Sequence, residues 1–171
     1  MTPLDDAAAF FIDAIERPAV ARVAPFEPWH LPLLIQREHE ASSFAALGGT
    51  DRTARLCDDA EYAYTVLATG SAPVACIGVS VMWSGVGAAW AFLSADAPRY
   101  WKTIHGGVIT FLRGALCDGE FRRIQTSVRS DHAAGHRWAL RLGFHPESVM
   151  HGYCPDGTDA ICYVRLAHDR R

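Results

Sequence analysis

Residues 121–144 read FRRIQTSVRSDHAAGHRWALRLGF. Ile124, Thr126 and Val128 alternate with Gln125, Ser127 and Arg129, the period-two pattern of a β-strand predicted over 121–129. Ser130 or Asp131 comes next, and a short polar side chain there can accept from the unpaired N–H groups of a helix's first turn. Ala134, Trp138 and Leu142 fall four apart, so the helix predicted over 131–142 carries an apolar face. Gly143 suits the left-handed position that ends a helix, and Phe144 can fold back on the last turn. Such a unit can form one wall of a cofactor cleft. By itself it is equally an ordinary αβ unit, and the choice rests on its neighbours.

Upstream, residues 99–116 carry Ile104, Val108, Leu112 and Leu116 every fourth position, with Trp101 and Phe111 beside them, which predicts a long helix. Before it, 62–68, 74–83 and 88–94 read as three strands joined by the turns Gly70-Ser71-Ala72-Pro73 and Ser84-Gly85-Val86-Gly87. Connections this short make an antiparallel meander. The third strand, the long helix and the strand 121–129 then form a βαβ unit with parallel outer strands. Downstream, 148–153 and 160–166 read as a final pair of strands around Cys154-Pro155-Asp156-Gly157. At the other end, 4–17 reads as an amphipathic helix stopped by Pro18, and 19–26 as an edge strand with proline at both ends. Residues 29–44 read as a helix starting near Leu31, because Pro32 fits only a first turn, and 51–60 as another short helix. The expected division is an N-terminal helical extension over 1–18 and one α/β (α+β) domain over 19–171.

The chain has 171 residues, 50% of them hydrophobic and 20% charged, the balance of one folded domain with a sizeable core. Its formal charge is −3, which gives no reason to expect nucleic-acid binding. Apolar runs stop short of a membrane span, and the start MTPLDD lacks the basic flank of a signal peptide. The five cysteines include no C-x-x-C pair, and Cys76, Cys117 and Cys162 sit in apolar surroundings. Buried thiols in a reducing, cytoplasmic protein are expected. No HExxH, EF-hand loop, zinc-spaced cysteines, P-loop or GxSxG elbow occurs, so no metal site is expected. His132 and His136 stand one turn apart on one helical face and read as surface or cleft histidines, with half of a metal site as the alternative.

The element order, with Val128 through Phe144 and the Tyr153/Asp156-Gly157/Thr158-Asp159-Ala160 pattern, resembles the GCN5-related N-acyltransferase superfamily over roughly residues 19–166. The resemblance implies a mixed, mostly antiparallel sheet splayed between its fourth and fifth strands and flanked by helices. It also implies acetyl-CoA or another acyl-CoA in the gap. The pantetheine arm would run along Trp90, Ala91, Phe92, Leu93 and Ser94. The pyrophosphate would sit near Arg99, Tyr100, Trp101, Lys102 and Thr103, where a helix N-terminus favours an anion. Arg137, on the helix beyond the splay, joins this cofactor-binding set. Some tailed-bacteriophage virion proteins are similar to this divergent branch, which points to a phage or prophage origin.

The sequence departs from the family pattern in two places. The glycine-rich phosphate loop is replaced by Asp96-Ala97-Pro98-Arg99-Tyr100-Trp101-Lys102-Thr103. The helix positions that often hold Asn and a proton-donating Tyr hold His132 and Ala139. The implied reaction is direct attack of a small-molecule or protein amine on the thioester within a ternary complex. Its base candidates are His132, then Asp96, with Glu38 and Glu40 behind them. An acyl-cysteine route through Cys154 lacks a His/Asp arrangement. The alternative is a non-catalytic protein that keeps the fold for binding or structure, for example in a virion. Phe10 and Phe11, or the last hairpin, offer a surface for a second copy.

Overall fold

A computed structural model describes residues 21–34 and 62–169. The chain forms β1 (Ala21–Pro25), α1 (His30–Leu34), β2 (Tyr62–Ala68), β3 (Pro73–Trp83) and β4 (Val86–Leu93). A 3-10 turn, Ala97–Tyr100, runs into α2 (Trp101–Cys117). Then follow β5 (Arg123–Arg129), α3 (Ala133–Arg141), β6 (His145–Met150) and β7 (Ala160–Leu166). The expected helices over 4–17 and 51–60, most of the one over 29–44, and Glu38, Glu40 and Cys57 lie outside the described residues.

The strands make one seven-stranded sheet in the order β1-β2-β3-β4-β5-β7-β6. Among the described residues only β4 and β5 are parallel neighbours, and every other pair is antiparallel. The antiparallel meander and the βαβ unit are therefore as the sequence predicts. β4 starts earlier than expected: Val86 and Gly87 belong to the strand, because a turn of Ser84 and Gly85 suffices and Gly85 has φ 74°. β6 likewise starts at His145 instead of Ser148, directly after the helix-ending turn.

Strand alternation sorts the core into two layers. Ala75, Ile77 and Val79 of β3 pack with Ile104, Val108, Leu112 and Leu116 of α2 and with Ala139 and Leu142 of α3. Cys76, between them in sequence, faces the other side and meets Leu31 and Leu34 of α1, with Trp90 and Phe92 of β4 alongside. Thus α2 and α3 share one face and α1 holds the opposite one. His30 is 4% exposed; its Nδ1 accepts the Glu27 N–H at 3.0 Å and lies 2.8 Å from Thr65 Oγ1. Burial lowers its pKa more than Glu27 raises it, so the ring pins the start of α1 as a neutral acceptor.

The end of α3 is the Gly-Phe stop read from the sequence. Gly143 has φ 83°, its N–H reaches Leu140 O at 3.0 Å, and the Phe144 N–H reaches Ala139 O at 3.1 Å. These two bonds make a Schellman motif, which satisfies carbonyls the helix leaves open. Two other expectations fail. Neither Ser130 nor Asp131 caps α3: the N-cap is His132, with no side-chain cap bond, because Arg129 holds the Asp131 carboxylate at 3.0 Å. Cys117 is exposed, since it follows the buried Leu116 and points off the apolar face of α2, whereas Cys76 and Cys162 are buried.

Gly87 sits where β4 still pairs with β5. A Cβ there would stand 2.5 Å from Val79 Cγ1 and 2.9 Å from Phe121 Cε1. Gly87→Ala is expected to destabilise the fold by about 1–3 kcal/mol, as overpacking typically does. A urea midpoint equal to that of the wild type would show that Val79 and Phe121 yield freely.

Candidate active site

β4 and β5 pair only at Val86↔Arg123, Gly87↔Ile124 and Ala88↔Gln125. Yet β4 stays paired to β3 up to Leu93↔Ala75, and β5 stays paired to β7 up to Arg129↔Ala160. Both strands continue past their last shared pair, so the sheet opens into a wedge between them. The Ser94 N–H donates to Val74 O at 2.9 Å, which sets the phase of the β3–β4 ladder. In antiparallel pairing the backbone groups alternate sides. Those of Trp90 and Phe92 therefore turn to β3, and those of Ala89, Ala91 and Leu93 turn to the wedge. Of the five residues expected to line the arm, Ala91 and Leu93 present backbone groups to the wedge. Ala89, missing from the expected set, joins them, because ladder phase is not readable from residue types.

The side chains of Trp90 and Phe92 are committed elsewhere. Trp90 packs edge-on against Phe26 with ring centroids 5.5 Å apart, and its Nε1–H donates to Ser80 Oγ at 3.1 Å. Phe92 lies 5.7 Å from the Trp90 ring, on the α1 face.

The turn after β4 uses most of its donors internally. The Asp96 N–H reaches Ser94 Oγ at 3.2 Å, Ala97 N–H reaches Ser94 O at 3.0 Å, and Arg99 N–H reaches Asp96 O at 3.0 Å. Pro98 has no N–H. A glycine-rich loop would leave such groups open to a phosphate; this loop does not. Asp96 also places a half-exposed carboxylate here, 3.8 Å from the Arg99 guanidinium. Lys102 is exposed and Thr103 half-buried on the first turn of α2, while Tyr100 packs against the main core. A phosphate at this end would depend on Arg99 and Lys102 side chains rather than on backbone.

On the far side of the wedge, His132 stands at the N-cap of α3, exposed, with its ring against Gly135. His132 and Asp96 thus follow the two strand ends that diverge. Arg137 is exposed on α3. His136 is not available as a metal ligand: its Nδ1 is 3.0 Å from Tyr163 Oη and its Nε2 3.2 Å from Ser130 O. Among the described residues no cluster of metal-ligating side chains occurs, and no helix is long and apolar enough to cross a membrane. Ala139 is 5% exposed and carries no proton donor.

One feature the sequence concealed lies between the two helices. Trp101 of α2 and Trp138 of α3 meet with ring centroids 5.1 Å apart, and His105 stacks on Trp101 at 6.2 Å and 14°. Because α2 follows β4 and α3 follows β5, this cluster bridges the two halves of the split sheet. His105 Nδ1 and Trp138 Nε1 are buried without a hydrogen-bond partner. Each such atom costs about 1–3 kcal/mol.

Beyond β5, Arg129 ties the start of α3 to the β6–β7 turn. It donates to Asp131, to Asp156 Oδ2 at 2.9 Å and to Thr158 Oγ1 at 3.2 Å. Hydrogen bonds from Arg129, then from Thr158, hold the Asp156 pKa down at about 2.

This geometry matches known structures. No protein-family model and no curated protein matches the chain. Solved structures do. Ard1 from Thermoplasma volcanium superposes with a TM-score of 0.68 at 14% identity, covering 85% of this chain and 97% of that one. RimL, a ribosomal L7/L12 alpha-N-protein acetyltransferase in complex with coenzyme A, gives 0.64 at 16% identity over 89% of this chain and 97% of that one. The ribosomal-protein-S18-alanine N-acetyltransferase from Escherichia coli gives 0.60 at 15% identity over 86% and 94%. The fold is therefore the acyl-CoA N-acyltransferase fold of the GCN5-related N-acetyltransferases, as the sequence resemblance implies.

A depressed carboxylate pKa adds stability above its ordinary value, and that stability is lost as pH falls through the folded-state value. Asp156→Asn should therefore lower the melting temperature at pH 5 and above. The difference should shrink below the ordinary value of 3.8 and vanish only below about 2, the folded-state value. A difference that persists unchanged at pH 2 would refute the role given to the Arg129 pairing.

Proposed function

We propose that the protein is an acyl-CoA-dependent N-acyltransferase acting on a primary amine. The observation that carries this reading is the unpaired edge of β4, with the backbone of Ala89, Ala91 and Leu93 facing the wedge. The wedge suits a long, amide-bearing arm. Bound acyl-CoA supplies an activated thioester. Backbone N–H groups of the β4 edge hold the arm and polarise the acyl carbonyl, where fixed donors in a dry site are most effective. The two walls hold amine and carbonyl together, which is the main catalytic term available here. His132, at the mouth, is the first candidate to take the proton from the incoming ammonium, directly or through water, and Asp96 is the second. Arg99 and Lys102 hold the phosphates, with Arg137 on the opposite wall. The names of RimL and of the S18-alanine enzyme favour a protein α-amine as acceptor.

A second reading is a non-catalytic protein that retains the fold, in a virion for example. The buried Ala139 and the internally bonded turn after β4 favour it. Calorimetric titration with acetyl-CoA separates the two. Binding in the micromolar range is expected, and none at high micromolar concentration would eliminate the enzyme reading.

Because side chains rather than backbone face the phosphates, affinity should fall steeply with salt. Lys102→Ala should weaken acetyl-CoA binding by about three- to tenfold, and Asp96→Asn, which removes a repelling charge, should tighten it. Unchanged affinity in both variants would relocate the phosphate site. With an amine acceptor in hand, His132→Ala should lower kcat roughly 10²-fold; a kcat within twofold of the wild type would remove His132 as the base.

A further inference from the structure

We infer that Thr126 is a further catalytic residue, whose hydroxyl donates a hydrogen bond to the sulfur that departs when the thioester is cleaved; this rests on the acyl-CoA reading above and adds one residue to it. Gln125 is the last residue of β5 that pairs with β4, so Thr126 is the first residue on the β5 wall of the wedge. Ile124 and Val128, two positions to either side, both pack into the core layer shared with α2 and α3. Alternation along the strand therefore puts the Thr126 side chain on that face. Its antiparallel partner, Tyr163, lies in the same layer. Thr126 is half-buried, and its hydroxyl bonds to no other described residue.

The neighbouring side chains single it out. On this face the β4 wall offers Ala89, Ala91 and Leu93, and the β5 wall offers Thr126 and Val128. Of these, Thr126 alone carries a proton on a heteroatom. Tyr163 stands one strand further from the wedge, and its Oη is engaged by His136 Nδ1 at 3.0 Å. In the acyl-CoA reading, Arg99 and Lys102 hold the phosphates at the open end of the wedge. The thioester, at the other end of the arm, then lies toward the closed end, where Thr126 stands. The amine nitrogen bonds to the acyl carbon, the C–S bond breaks with its electron pair left on sulfur, and the amine's proton passes to the base, directly or through water. A threonine hydroxyl is too weak an acid to protonate a thiolate. It keeps its proton and stabilises the charge through a fixed hydrogen bond. The sulfur takes its proton from solvent afterwards.

The test is a pH titration of coenzyme A bound to the full chain, read by the ultraviolet difference between thiolate and thiol. Thr126→Val keeps the branched shape and deletes the hydroxyl. It should raise the pKa of the bound thiol by about one unit, a tenfold change in its ionisation. Thr126→Ser, which keeps the hydroxyl, should match the wild type. So should Ser127→Ala, which lies on the opposite face of β5 and is exposed. With an amine acceptor, Thr126→Val should also lower kcat about tenfold and leave the KM for acetyl-CoA unchanged. If Thr126→Val lowers the melting temperature, Thr126→Ala is read in the same way. Bound thiols that titrate alike in the wild type and both deletion variants would overturn the inference and leave the acyl-CoA reading intact. A shift of the same size in Thr126→Ser would mark a packing effect and overturn it too, and a shift in Ser127→Ala would put the sulfur on the other face. A wild type that binds no coenzyme A would overturn both.

Discussion

The parting of β4 from β5 is the constraint on which the rest depends. Each strand keeps its own antiparallel partner to the end, so opening the sheet leaves hydrogen-bonding groups unpaired only on the facing edges of β4 and β5. An open edge within a sheet is normally a liability. Here it is confined to the residues beyond Ala88 and Gln125. The hydrophobic layer beneath runs across both halves, with Ile104, Leu112 and Ile124 fully buried, so the domain stays one body while its sheet is split.

That arrangement distributes the chemistry unevenly. Backbone supplies the wedge, and backbone donors are insensitive to sequence divergence. The side chains differ from the pattern of the family that the sequence resembles. The turn after β4 satisfies itself through Ser94 and Asp96, and Ala139 is packed into the core. Aromatic bulk from Trp101 and Trp138 fills the space between the helices instead. The wedge, which depends on topology, is thus present, while the side chains around it depart from that family pattern.

Much of the scaffold was legible in the sequence because it rests on local rules. The four-residue spacing of Ile104, Val108, Leu112 and Leu116 gave α2, and Leu142-Gly143-Phe144 gave the Schellman stop of α3. Short turns forced the meander. Local rules erred where a distant group intervened. Asp131 was a sound cap candidate until Arg129, itself anchored to Asp156 and Thr158, took its carboxylate. Cys117 looked apolar in its neighbourhood and faces solvent, because one residue past Leu116 turns a helical side chain off the buried face.

By itself the sequence determined the order of elements, the parallel placement of β4 and β5 and the absence of a glycine-rich phosphate loop, which follow from periodicity, turn length and residue type; the position of the wedge came from the family resemblance. Only the tertiary structure decided which backbone groups face the wedge, since that depends on the phase of the β3–β4 ladder. It alone brought His105, Trp101 and Trp138 together across the α2–α3 boundary. Residues from two helices separated by a strand share no sequence pattern, and nothing local marks a polar atom that folding will bury without a partner.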